Sequence, residues 1–247
     1  MSTPGERKPT RSPISPIMNE QLALDIQLNQ EATLSNFNWQ GNEVLHQQLL
    51  HSLSDTSNER LFYLWGNNGF GKSHLLQACC HFLSEHSSIY FPLQQFRDYG
   101  PMALDGLEQN AVICIDDIDC IADDKAWEEA IFHLYNRVRD AGSSYLLISG
   151  NTSPTTLPIV LPDLRSRLAW GLVFQINELP EEGKIQTLQI KAQERGFELS
   201  DSACQYLIKR CSRNMHDLLE ILQQLDRASL AAKRKITIPF IKNTILI

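Results

Sequence analysis

Gly66-Asn67-Asn68-Gly69-Phe70-Gly71-Lys72-Ser73 fills the pattern G-x-x-x-x-G-K-[ST] at every constrained position. It follows the apolar run 61–65 and precedes a helical stretch at 74–83, the strand–loop–helix setting that a phosphate-binding loop demands. Glycines let the backbone curl so that its N–H groups face the phosphates, and the positive end of the following helix adds to the attraction. Lys72 is then placed to reach the β- and γ-phosphates and Ser73 to hold Mg²⁺, with His74 next along the same nucleotide site. The simpler reading, a glycine-rich turn without a ligand, leaves the Lys-Ser pair unexplained.

The neighbouring segments supply a scaffold for this loop. Apolar runs at 61–65, 112–115 and 145–148, with weaker ones at 88–92 and 172–176, are what strands of a parallel sheet buried on both faces require. Helical stretches lie between them. The clearest is 126–139, where Trp127, Ala130, Ile131, Leu134, Tyr135 and Val138 share a face, while Glu128, Arg137 and Arg139 are expected to point away. Alternating strands and helices predict an α/β nucleotide-binding domain with a parallel sheet flanked by helices, over residues 37–179. From Pro180 the pattern turns all-α, over 180–247. Pro180-Glu181-Glu182 opens one helix and Gly196 closes it, Ser200 and Asp201 cap a second, and a third runs from about Asn214 to Ala232.

A second motif lies at 112–117, where the buried run ends in Asp116 and Asp117. One carboxylate at a strand end suits Mg²⁺ coordination through water, which is assigned to Asp116, and its neighbour Asp117 can polarise an attacking water. Paired acids also cap turns, as nearby Asp119, Asp123 and Asp124 illustrate. Asn151, just past the run 145–148, is placed to orient a lytic water or simply to cap its loop. Arg165 and Arg167 stand far along the chain from the phosphate loop, in a position to serve a neighbouring subunit's nucleotide; a surface salt bridge is the plainer role for Arg165.

The 247 residues carry a net charge of −7, which argues against a protein that grips nucleic acid by its phosphates. The charge is uneven: residues 1–183 hold 11 basic and 23 acidic side chains, and 184–247 hold 11 and 6. The six cysteines form no C-x-x-C pair and read as small buried hydrophobes. With no apolar stretch near the roughly 20 residues of a bilayer span, and no signal peptide pattern, a cytoplasmic protein with no membrane association is expected. Residues 1–36 read as a flexible tail, in which 1–17 are rich in Pro, Ser and Thr and Met18 is a possible start. The tail contains Gln21-Leu22-Ala23-Leu24-Asp25-Ile26, whose Leu22, Leu24 and Ile26 can dock in an apolar groove while Gln21 hydrogen-bonds at its rim.

Phosphate loop, double-acid strand, Asn after a strand, Ser166-Arg167 and a helical C-terminal lid occur in this order in AAA+ ATPases. From about Phe37 to Ile247 the chain resembles that family. It is more closely similar to the AAA+ part of the replication initiator DnaA, and most closely to the regulatory inactivators of DnaA. The resemblance is carried by Trp127-Glu-Glu-Ala-Ile-Phe-His-Leu-Tyr-Asn-Arg137, Leu161-Pro-Asp-Leu-Arg-Ser-Arg-Leu-Ala-Trp-Gly171 and Arg195-Gly-Phe-Glu-Leu199. Gln224-Leu-Asp-Arg-Ala-Ser229 and Arg234-Lys-Ile-Thr-Ile-Pro-Phe-Ile241 extend it.

The resemblance implies an AAA+ P-loop NTPase fold with a small helical lid, binding ADP or ATP with Mg²⁺. It also implies two partners, DnaA and the DNA-loaded replicative sliding clamp (its β subunit), and a role in preventing repeated initiation by promoting hydrolysis of the ATP held by DnaA. Within it, Gln21, Leu22, Leu24 and Ile26 match a clamp-binding peptide, and Arg167 takes the place of an arginine finger acting in trans on DnaA. At the lid position where the family places an Arg, this sequence has His216, only partly charged near neutral pH, and Arg213 three residues earlier. That departure implies at most weak intrinsic ATP turnover while leaving ADP binding to the phosphate loop. Phe37, Trp39 and Asn42 lie where the adenine segment is expected, although packing explains two aromatics equally well.

DnaA continues beyond its lid into a helix-turn-helix domain, whereas this chain stops at Ile247, so no direct sequence-specific DNA binding is expected. AAA+ surfaces pair with neighbours, which makes a homodimer or larger assembly plausible. The competing reading is an autonomous AAA+ ATPase, a helicase or clamp loader-type factor.

Overall fold

The runs at 112–116 and 145–150 are buried at every residue by the helices on both faces, the edge run 172–175 leaves Val173 and Gln175 exposed, and the apolar runs together form five strands. In the computed structural model, which describes residues 32–54, 59–83 and 87–245, these are β1 (Leu61–Trp65), β2 (Ser88–Pro92), β3 (Val112–Asp116), β4 (Tyr145–Gly150) and β5 (Leu172–Gln175). They make one parallel sheet in the order β2-β3-β4-β1-β5. The register pairs Tyr63 with both Ile148 and Val173, and Ile115 with Ile148. The tail segment 21–26 lies outside the described residues.

Side chains alternate across the sheet and divide its packing into two layers. Phe62, Leu64, Cys114 and Leu147 face α1 (Glu43–Ser54) and α2 (Lys72–Phe82). Tyr63, Ile113, Ile115, Leu146 and Ile148 face the layer that holds α4 (Lys125–Ala141) and α5 (Pro162–Leu168), with the short α3 (Leu93–Phe96). The helix α1 has no counterpart in the sequence reading. Its Leu45, Leu49 and Leu53, spaced four apart, are the buried stripe that would have revealed it.

One expectation is overturned. Glu128 does not point away from the core: it is fully buried on α4. Its Oε1 accepts from the backbone N–H groups of Asp123 and Val160, at 3.1 Å each, and its Oε2 from Leu161 N–H at 2.7 Å. Its spacing to Ile131 and Tyr135 is that of the buried stripe, and only the charge of a carboxylate argued for solvent. Here the charge is instead solvated by backbone donors from two loops, one of which holds Asp123 at a left-handed φ of 66°. Glu128 thereby ties the loop after β3 to the start of α5. Glu128→Ala is expected to lower unfolding stability by about 3 kcal/mol, because three donors lose a charged acceptor. Urea denaturation measures this, and a loss under about 1 kcal/mol would show that the loops hold themselves.

The C-terminal helices α6 (Glu181–Glu194), α7 (Asp201–Arg210), α8 (Met215–Ala232) and α9 (Ile238–Thr244) enclose a core of their own. Leu188, Leu207, Leu218, Leu222, Leu225 and Ile241 are fully buried there. The caps are those the sequence offers: Ser200 Oγ accepts from Ala203 N–H and Asn214 from His216 N–H.

Candidate functional site

In an open parallel sheet, ligands bind beyond the carboxyl ends of the strands, where neighbouring connections diverge. β1 lies between β4 and β5, its chain continuing to β2 at the far edge, and the loop 66–71 emerges at that point. Conformation explains the glycines. Gly69 has φ 84° and Gly71, the N-cap of α2, has φ 95°, both left-handed. A Cβ on Gly71 would also come 2.9 Å from the Phe37 ring, and one on Gly69 would collide with the side chain of Asn214.

A cavity of about 770 Å³ opens over this loop between the sheet and the C-terminal helices. Asn68, Gly69, Phe70, Gly71, Lys72, Ser73 and His74 all line it, as do Asp116, Asp117 and His216. Gly66 and Asn67 contribute from behind: their carbonyls accept from Lys72 Nζ at 2.8 and 3.3 Å. The third donor of that ammonium goes to Asn151 Oδ1 at 3.0 Å. Asn151 is itself fixed by its N–H, which donates to Asp119 at 2.6 Å. Burial pushes the Lys72 pKa below its usual value, and Asp117, Asp116 and Asp119 pull in the opposite direction. A phosphate entering the cavity can take up donors from Lys72 that are now spent on uncharged oxygens.

The two acids at the end of β3 differ. Asp116 is 2% exposed, with one oxygen accepting from Ser149 Oγ and the other from Tyr90 Oη at 2.5 Å. Burial raises the Tyr90 pKa, reinforced by Asp116, so the phenol remains a donor. Asp117 takes a left-handed φ of 58°, and its N–H donates to Ser149 Oγ at 2.9 Å. Its pKa is raised by burial first and Asp116 next, with Lys72 opposing. Among the described residues no group of three or more His, Cys, Asp or Glu side chains is gathered for a metal. Mg²⁺ bound with phosphates uses only one or two protein ligands beside water, and Asp116 with Ser73 fits that need.

Of the N-terminal segment expected to meet adenine, Phe37 and Asn42 line the cavity and Trp39 does not. Its indole stacks on His46 at 4.1 Å and donates to Leu34 O, which makes it a packing residue. Asn42 joins this segment to the entry of the lid through Asn177 N–H at 2.8 Å. His74 faces Asn36 Oδ1 at 3.0 Å, and its pKa is lowered by burial first and by Lys191 next, which favours the neutral ring.

From the lid, His216 is exposed and lies 3.4 Å from Glu220. Arg213 does not line this cavity; its carbonyl accepts from the buried Lys184 at 2.6 Å. Two lid residues at the cavity escaped the sequence reading. Asn214 Nδ2 donates to Asn68 O at 2.9 Å, pinning the start of α8 to the phosphate loop, and Lys191 brings a largely buried ammonium paired with Glu194 at 2.6 Å. The N-cap position of Asn214 was the available signal for the first; a lysine in a polar helix gave none for the second.

Arg165 and Arg167 are absent from this cavity. Arg165 is exposed on α5. Arg167 borders a separate surface cavity of about 430 Å³ with Phe132, Asp163, Ser166 and Trp170.

Comparison with known proteins agrees with this architecture. The model for the Hda lid domain matches residues 181–245, that for the bacterial DnaA ATPase domain 104–175, and an RNA helicase model 62–139. An uncharacterized protein of Haemophilus influenzae is 44% identical over 227 residues, covering 91% of this chain and 98% of that one. Domain III of the Thermotoga maritima replication initiation protein DnaA superposes with a TM-score of 0.78 at 19% identity, over 90% of this chain and 98% of that domain. AMPPCP-bound DnaA from Aquifex aeolicus gives 0.68 at 22% identity, over 79% and 65%. No helix among the described residues is long and apolar enough to cross a membrane. With a lid matched to Hda, an ATPase segment matched to DnaA and a five-stranded parallel sheet of the same fold, the chain belongs to the Hda/DnaA-related AAA+ family.

Proposed function

We propose that this protein is a negative regulator of replication initiation that binds ADP or ATP with Mg²⁺ and stimulates ATP hydrolysis by DnaA. It does so together with the DNA-loaded sliding clamp. The observation that carries the reading is the position of Arg167, which borders a surface cavity of its own while its chain's nucleotide cavity is lined without it. A guanidinium so placed serves a nucleotide on an adjoining subunit, where its fixed fork can stabilise charge developing on the γ-phosphate. Lys72 and the loop N–H groups hold the protein's own phosphates, Ser73 and Asp116 hold the metal ion, and Asp117 orients water in whatever slow turnover occurs. The nucleotide then acts mainly to set the lid through Asn214 and His216.

Clamp binding is assigned to Gln21, Leu22, Leu24 and Ile26, a short stretch with alternating apolar side chains suited to an apolar groove. Replacing Gln21 and Leu24 together by Ala is expected to weaken clamp binding at least about 100-fold while nucleotide affinity stays unchanged. Surface plasmon resonance on immobilised clamp measures this; wild-type binding would remove the tail from the mechanism. The deciding experiment is a reconstituted DnaA ATPase assay with and without DNA-loaded clamp. The second reading, an autonomous AAA+ ATPase of helicase or clamp loader type, is favoured by the complete loop 66–73 and the Asp116-Asp117 pair. It requires strong hydrolysis without DnaA.

A further inference from the structure

Trp170 is 68% exposed, an unusual position for an indole in a protein that buries most of its large apolar side chains. The chain holds it there by two constraints. Leu164 and Leu168 fasten α5 to the core, and Gly171 passes so close to Leu61 O that a side chain at 171 would collide with it. The intervening residue is turned outward. Its N–H donates to Arg167 O at 3.1 Å, closing the last turn of the helix.

Two cations occupy the ring. The guanidinium carbon of Arg167 lies 5.0 Å from the ring centroid and that of Arg139, from the end of α4, lies 5.8 Å from it. Arg139 also pairs with Asp140 at 3.3 Å, which offsets part of its charge beside Arg167. An indole face attracts a guanidinium through its quadrupole without consuming the planar N–H donors. A carboxylate partner would hold Arg167 more tightly, but would occupy the donors that a phosphate needs and neutralise the charge.

We propose that Trp170 is a positioning residue for Arg167, holding the guanidinium on its ring with the N–H fork free for a γ-phosphate on a partner subunit. This rests on the in-trans role proposed above for Arg167. The same reconstituted hydrolysis assay tests it, with Trp170→Phe, Trp170→Leu and Arg167→Ala run in parallel at several protein concentrations. Trp170→Leu is expected to lower the maximal stimulated rate about tenfold, since a misplaced catalytic group loses rate steeply with small displacements. Its half-maximal concentration should move less than about twofold, and Trp170→Phe, which keeps an aromatic face, should retain most of the rate. Equal rates for the Phe and Leu variants, or a loss confined to the half-maximal concentration, overturn the positioning role. An unaffected Arg167→Ala variant would instead remove the in-trans reading itself, so the two failures are distinguishable.

Discussion

Arg167→Ala is expected to abolish stimulation of DnaA's ATP hydrolysis, a loss of about 10³-fold or more, while folding, clamp binding and nucleotide affinity persist. Arg167 is on the short helix α5, outside the nucleotide cavity and bordering a surface hollow, so its removal leaves the phosphate loop intact. The transition state of phosphoryl transfer spreads charge over oxygens that water would otherwise solvate. A planar guanidinium meets two of them at once, and an ammonium cannot, so Arg167→Lys should be nearly as defective. Single-turnover hydrolysis of ATP bound to DnaA, with clamp loaded on DNA, gives the rate directly. Retained stimulation by Arg167→Ala would place the finger elsewhere.

Lys72→Ala is expected to weaken ADP and ATP binding by at least about 100-fold, near 3 kcal/mol. The reason is specific to this site. Lys72 offsets the charge of Asp116 and Asp117, which line the cavity, and of Asp119, and its loss leaves the two lining carboxylates opposite incoming phosphates. The gap would also leave the carbonyls of Gly66 and Asn67 and Oδ1 of Asn151 without this donor. Titration with a fluorescent nucleotide measures the change. Wild-type affinity in this variant would show that the lid cations, Lys191 among them, carry the binding instead.

The parts of the site that act through the backbone were legible in the sequence. Gly71 sits at left-handed φ because a loop returning on itself to point N–H groups inward requires it, and the second glycine of G-x-x-x-x-G-K-[ST] encodes that requirement; Gly69, at a position the pattern leaves open, shares the conformation. The strands were legible for a similar reason. A run such as Val112-Ile113-Cys114-Ile115 has no polar face to offer water, so its position inside a parallel sheet follows from composition alone.

Glu128 shows where such reasoning stops. Its spacing to Ile131 and Tyr135 is that of the buried stripe and only its carboxylate argued for solvent, and the donors that make its burial tolerable come from residues 123, 160 and 161. Trp39 shows the same limit from the opposite side: it lies in the segment expected to meet adenine and stacks on His46 instead. Asn214 reaches Asn68 across 146 positions of sequence, and no periodicity spans that distance.

By itself, the sequence determined the phosphate loop, the five strands, the two acids of β3 and the change to an all-helical C-terminal region, because each is written in residues adjacent along the chain. The tertiary structure alone decided which charges are buried, that Lys72 is shared among Gly66, Asn67 and Asn151, that Asn214 closes on the loop, and that Arg167 lies on Trp170 away from its own nucleotide cavity. Those are contacts between segments brought together only by folding, and their energies depend on distance and desolvation, which a linear order of residues does not specify.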